Sequence, residues 1–392
     1  MKFNLPEYVL FCLNTLENNG FEAYCVGGAV RDHLMGKIPF DYDITTNATP
    51  NEITSLFPKT VPTGIKHGTV TVVTDSGNVE ITTYRSDGLY SNNRSPECVT
   101  FEKNVESDLS RRDFTMNAIC YNPKSGIYDP LNGVADINNK IIRAIGNPKK
   151  RFREDALRII RAFRFAAQLN FRIEQQTLTE AIELLELLQN ISVERIYTDL
   201  CRILISPHPE NAKELFYNNG LKYLGFTIDD FSSELNKIPN ILSLRIAYLA
   251  LQNNFDASIV LKNLKADNKT IADTVSFYNL IQLSLPDDKV KIKKILSEFG
   301  VEKFQKYIEM YRNFGCDTIF AESTLISILN SKEPYALKML NISGNDIKPL
   351  VSDGKEIGNI LNKLLFHVIE NPNDNNLETL LNVAKSFTPH KM

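Results

Sequence analysis

Residues 26–46 read VGGAVRDHLMGKIPFDYDITT, and two short groups within them have the makings of a reaction centre. Apolar Tyr24-Cys25-Val26 runs into Gly27-Gly28, which opens a short helix carrying Arg31 and Asp32, with Gly36 placed to end it. Glycines let backbone N–H groups approach an anion closely, and a helix start adds partial positive charge, so Gly27 and Gly28 suit a triphosphate. Asp41 and Asp43 follow in a β-like stretch, where residues i and i+2 project to one face. Two adjacent carboxylates repel each other unless a divalent cation sits between them. The pattern predicts metal-dependent phosphoryl or nucleotidyl transfer, with two magnesium ions on Asp41 and Asp43. One ion would lower the pKa of an attacking hydroxyl, and the other would clasp the triphosphate and steady the departing pyrophosphate. Glu80 alternates with Val79 and Ile81, and is either a third carboxylate of this set or a solvent-facing strand residue.

Two further segments supply donors. In Arg111-Arg112-Asp113-Phe114-Thr115-Met116-Asn117-Ala118, paired arginines ahead of a helix can grip triphosphate oxygens through forked hydrogen bonds. Arg112 is the expected ligand, with Asp113 orienting it and Asn117 facing the nucleotide. In Glu154-Asp155-Ala156-Leu157-Arg158, Asp155 and Arg158 are three apart, hence neighbours on one helix face. Asp accepts hydrogen bonds and Arg only donates them. Cytosine offers N4–H₂ beside N3, and adenine offers N6–H₂ beside N1; uracil and guanine present the reverse polarity. An Asp155–Arg158 reader would therefore select C and A, because unmatched buried polar groups cost ~1–3 kcal/mol each. Read in isolation, the same spacing is also that of a helix-stabilising ion pair. Arg161 and Arg164 continue the ladder toward the triphosphate or an acceptor strand.

The elements that position these groups follow from periodicity. Strands are expected at 22–26, 42–45, 68–73, 79–84 and 99–101, with a hairpin turning at Asp75-Ser76-Gly77-Asn78. Residues 85–96 (RSDGLYSNNRSP) read as a loop. From about residue 146 the pattern is almost wholly helical, broken near 206–209, 285–288 and 342–346. The fold class is α+β: a mixed sheet with helices, followed by an all-α remainder. Asp129–Asp136 (DPLNGVAD) reads as a structural connector. Ser192 is the expected N-cap of a helix in which Glu194 and Arg195 brace their neighbours.

Composition narrows the class. The 392 residues are 43% hydrophobic and 23% charged, ordinary for a globular protein. No apolar run approaches the ~18 residues of a membrane span, and no signal peptide is evident. Six scattered cysteines without a CxxC pair argue for reduced thiols in the cytoplasm, not a zinc site or disulfide scaffold. None of the five histidines forms an adjacent His-Asp pair, so no metal-dependent phosphohydrolase module is apparent. The net charge of −3 argues against indiscriminate nucleic-acid binding. Between Lys149 and Arg164, however, seven basic residues face two acidic ones, which fits contact with one defined polyanion.

Taken in order, GGAVRD (27–32), DYD (41–43), RRDFTMNA (111–118), DPLNGVAD (129–136), EDALR (154–158) and ISVERI (191–196) identify a resemblance. The chain resembles the bacterial class II tRNA nucleotidyltransferases, the CCA-adding enzymes of the polymerase-beta-like superfamily, which also holds bacterial poly(A) polymerases. Residues 342–346 and 354–358 are similar to that family's C-terminal region. The resemblance implies a seahorse-like succession of a catalytic head (1–145), a neck reading the nucleobase (146–205), a helical body (206–320) and a tail (321–392) that holds the tRNA elbow. It implies Gly28, Arg31, Arg112, Asp155, Arg158, Arg161 and Arg164 at the nucleotide, and magnesium on Asp41 and Asp43.

The implied reaction is template-independent addition of C, C and A to the 3′ end of tRNA from CTP and ATP, releasing pyrophosphate, with no membrane and no stable protein partner. The family's loop is commonly Tyr-x-Asp-x-Arg-Arg/His-Pro; here Tyr90–Pro96 departs from it at Asn92 and Ser95. Its full length favours completing the terminal A, and CC-only or A-only addition is the alternative. A poly(A) polymerase is disfavoured by the complete EDxxR block, and a non-catalytic tRNA-binding protein by the paired aspartates.

Overall fold

Alternating apolar residues through the first part of the chain build a sheet whose inner face packs on helices. The computed structural model describes residues 2–88, 90–91, 95–96, 99–229, 231, 234–351 and 353–387. The strands are β1 (Ala23–Val26), β2 (Asp43–Thr46), β3 (Thr60–Gly64), β4 (Thr69–Thr74), β5 (Gly77–Thr83), the short β6 (Arg85–Asp87), β7 (Tyr90–Ser91), β8 (Ser95–Pro96) and β9 (Val99–Phe101), then β10 (Cys120–Asn122) and β11 (Gly126–Tyr128). Seven of them form a mixed sheet in the order β11-β10-β1-β2-β5-β4-β3. The β2–β5 pair is parallel, in a register that sets Asp43 opposite Glu80. The expected hairpin is β4–β5, closing with Thr74 opposite Gly77. Val70, Val72, Val79 and Ile81 are buried from it into the core that also holds Val9, Leu13 and Leu16 of α1 (Glu7–Asn18).

The segment expected as a loop at 85–96 carries the short strands β6, β7 and β8, and three strands of the seven-stranded sheet were not anticipated, for identifiable reasons. β3 contains Pro62, which removes a backbone donor and so belongs on the sheet edge where β3 lies. β10 is buried on both faces and shows no alternation. β11 is only three residues long. The segment after the paired arginines is likewise not a helix but one 3₁₀ turn, Thr115–Asn117, leading into β10. Asn92, within the departing loop, lies outside the described residues, and of Ser95 only the backbone is described.

α2 (Gly28–Leu34) follows β1 as expected, with Gly36 just beyond it at φ +71°. Next come α3 (Pro50–Leu56), α4 (Val105–Ser110) and α5 (Gly133–Asn138), which lies within the DPLNGVAD connector. The two Asp129 carboxylate oxygens accept the Gly133 and Val134 N–H groups at 2.8 Å each. Helical chain then takes over with α6 (Pro148–Glu154), α7 (Leu157–Leu169), α8 (Gln175–Glu183), α9 (Val193–Leu204) and α10 (Lys213–Tyr217), plus a two-residue parallel ladder of β12 (Ile141–Ile142) and β13 (Arg172–Ile173). Ser192 stands at the N-cap position of α9, but its side chain makes no capping hydrogen bond.

The chain divides into two units. The first comprises residues 1–233 and 259–266, and the second residues 234–258 and 267–392. α12 (Ala257–Asn263) belongs largely to the first. The second holds α11 (Leu242–Asn253), α13 (Asn268–Ile281), α14 (Lys289–Asn313), α15 (Ile319–Ser331), α16 (Gly344–Ile347), α17 (Gly354–Glu370) and α18 (Leu377–Phe387). α14 is kinked at Gly300, whose φ is +80°. Leu364, Leu365, Val368, Ile369 and Leu380 centre an apolar core there. No helix of the described residues is long and apolar enough to cross a membrane.

Two glycines make contrasting stability tests. A Cβ on Gly133 would stand 2.3 Å from the Thr115 carbonyl oxygen and 2.8 Å from Ile119, so Gly133→Ala should cost about 2 kcal/mol or more through overpacking. Gly358, exposed inside α17 with nothing within 4 Å of such a Cβ, should gain about 0.5–1 kcal/mol on replacement by alanine. Chemical denaturation of both variants measures the difference.

Candidate active site

A cleft of about 600 Å³ opens in the first unit, lined by Gly27 and Gly28 from the β1–α2 turn, Asp41 and Asp43 before and in β2, and the 111–117 segment. The α6–α7 junction and α9 complete it. Among the described residues, eight arginines (31, 111, 112, 158, 161, 164, 195, 202) line it against four aspartates (41, 43, 113, 155), an excess of four positive charges. That balance fits a compact polyanion such as a nucleoside triphosphate.

Asp43 opens β2, whereas Asp41 precedes the strand in irregular chain, so strand alternation is not what brings the two together. Both nevertheless line the cleft. Burial pushes the Asp43 carboxyl up to about 6; Arg112 opposes this, while Asp41 and Glu80 add to it. Glu80 is exposed, directly opposite Asp43 in the β2–β5 register, and outside the cleft lining. Among the described residues no three His, Cys, Asp or Glu side chains group closely enough to hold a metal ion by themselves. Asp41 and Asp43 offer oxygen donors beside a phosphate-sized space, which fits magnesium completing its shell with substrate oxygens and water.

The backbone at Gly27 explains why glycine stands there. Its φ is +78°, and a Cβ would meet the Arg112 guanidinium at 3.4 Å and the Asp43 carboxylate at 3.8 Å.

Most of the cleft arginines are held by an acid. Arg31 donates to Asp32 at 2.8–2.9 Å and to Asn117 at 2.8 Å. Asp32, expected at the nucleotide, therefore anchors Arg31 and does not line the cleft. Asn117 lines it, yet its amide is already spent between Arg31 and Asp113. Arg112 is oriented not by Asp113 but by Asp108, four residues back on α4, at 3.0 Å. Asp108 is fully buried, also holds Arg111 at 2.6 Å, and accepts the Thr45 hydroxyl at 3.1 Å. Burial would raise its carboxyl, but Arg112 and Arg111 outweigh that and hold it low. Asp113 instead receives Arg161 at 2.5 and 2.8 Å. Burial again pulls its carboxyl upward; Arg161, Asn117 and the Phe114 N–H prevail and set it at about 2.

Arg164 donates to Asp199 of α9 at 2.6 Å, and burial with Arg161 nearby lowers it to about 10. The face of Phe165 receives Arg31, Arg161 and Arg164 at 5.3, 5.5 and 4.4 Å from its centroid.

Asp155 and Arg158 both line the cleft, though not as neighbours on one helix. α6 ends at Glu154, and Asp155 has extended geometry (φ −135°, ψ 102°) before α7 begins. The basic stretch 149–164 is thus split between two helices, with Arg151, Arg158, Arg161 and Arg164 turned into ion pairs rather than forming one open stripe. Arg158 is fixed by the Arg151 carbonyl at 3.3 Å, Glu154 at 3.1 Å and the Arg111 carbonyl at 2.7 Å. Burial raises the Asp155 carboxyl, with Arg195 drawing it back from 3.7 Å. Arg195, expected only to brace helices, lines the cleft beside Asp155, while Glu194 pairs outward with Lys265. Asp199 carried no recognisable signal, because its partner Arg164 is 35 residues away, whereas Asp108 stands three and four residues before Arg111 and Arg112, a spacing that could have found it.

The comparisons with known proteins agree with this geometry. Residues 23–143 match the family model described as the poly A polymerase head domain, and residues 170–224 that of the probable RNA and SrmB-binding site of polymerase A. The CCA-adding enzyme of Staphylococcus epidermidis is 36% identical over 94% of this chain and 95% of its own length. This chain belongs to the CCA-adding enzyme family. The CCA-adding enzyme of Lactobacillus helveticus is 37% identical over 94% of both chains. Among solved structures, that of the Bacillus stearothermophilus CCA-adding enzyme in complex with CTP matches with a TM-score of 0.83 and 29% identity, covering 97% of this chain and 96% of its own. The chain shares the fold of the Thermotoga maritima CCA-adding enzyme complexed with tRNA, at a TM-score of 0.68 and 21% identity.

Two predictions follow from the charge arrangement. Asp108→Asn leaves two guanidinium groups without their counter-charge. It should lower stability by about 2–4 kcal/mol, less than for a fully buried pair because both arginines keep some solvent contact. Nucleotide binding by titration calorimetry should weaken with it. Asp43 has a folded-state pKa of about 6 against an ordinary 3.8, so between those values the folded chain keeps a proton the unfolded chain releases. Stability from this group therefore falls as pH rises through that window. In EDTA, Asp43→Asn should melt above the parent chain at pH 7.5, and that advantage should vanish near pH 4.

Proposed function

We propose that this chain adds C, C and A, without a template, to the 3′ end of tRNA, using CTP and ATP and releasing pyrophosphate. The observation that carries the reading is one cleft holding a carboxylate pair, a bank of anchored arginines and the Asp155–Arg158 couple together. In the reaction the terminal 3′-hydroxyl of tRNA attacks the α-phosphorus of the nucleotide, an O–P bond forms, and pyrophosphate leaves.

Arg31, Arg112, Arg161 and Arg164 carry the triphosphate, each held by its own acid so that no side chain must be ordered on binding. Gly27 and Gly28 let backbone approach the phosphates. Asp41 and Asp43 would hold magnesium, which when bound would lower the pKa of the attacking hydroxyl and steady the leaving oxygens; Glu80, exposed opposite Asp43, lies outside the cleft lining. Asp155 accepts from the exocyclic amine of cytosine or adenine, and Arg158, immobilised by two carbonyls and Glu154, donates to the adjacent ring nitrogen. Uracil and guanine meet like polarity at that edge.

The division into head (1–145), neck (146–205), body (206–320) and tail (321–392) belongs to the same reading, with the rear helices holding the tRNA elbow. Cytoplasmic location accords with this substrate and with the scattered cysteines.

The test gives purified protein a tRNA lacking its 3′ end with CTP alone, ATP alone, and both. Two added residues with CTP and three with both are expected; one residue from ATP alone on a CC-ended tRNA marks an A-adding enzyme, and a long adenylate run a poly(A) polymerase. Arg158→Ala should narrow discrimination against UTP and GTP by about tenfold or more, measured as kcat/KM ratios. Unchanged ratios remove Arg158 from base reading.

A further inference from the structure

The linker between α2 and β2 presents an aromatic ring to the cleft that neither the triphosphate nor the base reader accounts for. Phe40 is 100% exposed and Ile38 95% exposed, the two most exposed large apolar side chains among the described residues. They are not on a loose loop. Pro39 between them is buried, and Tyr42 is buried, with its hydroxyl on His33 at 3.1 Å and its ring edge-on to Tyr8. The inward anchors at 39 and 42 force residues 38, 40 and 41 outward, so Phe40 and Asp41 reach solvent side by side. Phe40 lines the same cleft as Asp41, Asp43, Asp155 and Arg158.

Resting on the tRNA-extending reading above, we propose that Phe40 is the stacking platform for the 3′-terminal nucleobase of the acceptor strand. Transfer requires the 3′-hydroxyl to meet the Asp41–Asp43 pair, and successive Cα atoms are about 3.8 Å apart. The nucleotide bearing that hydroxyl therefore lies within one residue's reach of Phe40. The incoming base is read elsewhere, by polar groups at the α6–α7 junction. The acceptor subsite has the opposite requirement: its occupant changes with every addition, so it must accept any base. A phenyl ring has no donor or acceptor with which to choose, and base–aromatic stacking is tolerant of sequence because every base has a π-face. Leaving such a ring in water without a partner is otherwise unfavourable.

The experiment uses the full chain and a tRNA lacking its CCA end with 2-aminopurine as its terminal base, whose fluorescence falls on stacking. Mixing without nucleotide should quench the probe with the parent chain and with Phe40→Trp, and leave it bright with Phe40→Ala. In extension assays Phe40→Ala should raise the KM for tRNA roughly 5- to 100-fold, leave the KM for CTP within about twofold, and be rescued by Phe40→Trp. Unchanged quenching and KM in Phe40→Ala overturn the proposal. So does a rise confined to the KM for CTP, which would put the ring at the incoming nucleotide. A parent chain that quenches the probe but never extends tRNA would fail the catalytic reading while leaving the stacking assignment standing.

Discussion

The pairing of guanidinium with carboxylate is the constraint around which the cleft is built. Arginines gathered in one cleft repel one another, and three of them meet on the face of a single phenylalanine, Phe165. The chain meets this by giving each an acid: Asp32 for Arg31, Asp108 for Arg111 and Arg112, Asp113 for Arg161, Asp199 for Arg164; of these acids only Asp113 lines the cleft. The acids hold the fork-shaped head groups in place before substrate arrives, so binding costs little side-chain entropy. The same acids draw helices toward the sheet, and the Arg164–Asp199 pair ties α7 to α9.

The Asp155–Arg158 couple, proposed to read the base, obeys the same logic with a different backbone. Asp155 sits in extended chain where α6 gives way to α7, and Arg158 starts the second helix. The break frees Asp155 from helical geometry, and the Arg111 carbonyl pins Arg158 across to the segment that carries Arg112. Under the proposed function, base reader and phosphate grip would share this one backbone strut.

Asp43 represents the opposite strategy. The cleft arginines are stabilised by neighbours, whereas Asp43 is held against burial and against Asp41 and Glu80, with Arg112 only partly relieving it. A carboxylate raised in this way is one that a divalent cation would relieve, in keeping with the proposed magnesium site.

Local residue order alone determined the β1–glycine–α2 turn, the β4–β5 hairpin and the helical second half, because each rests on spacing within a few residues; of the cleft it gave Gly27, Gly28, Asp41, Asp43, Arg112, Asp155 and Arg158, but not Phe40, Phe165 or Arg195. Pro62 at a sheet edge and the doubly buried Cys120–Asn122 hid two strands, since neither alternates. Tertiary structure decided which arginine Asp113 serves: it follows Arg112 in sequence yet holds Arg161 of α7, while Arg112 pairs locally with Asp108 four residues back. It also decided that Asp155 leaves the helix, that Asp32 stands behind its arginine, and that Phe40 faces water. The Arg161–Asp113 and Arg164–Asp199 pairs join residues 48 and 35 apart, and a guanidinium reaching across such distances after the sheet and helices have packed leaves no trace in local spacing.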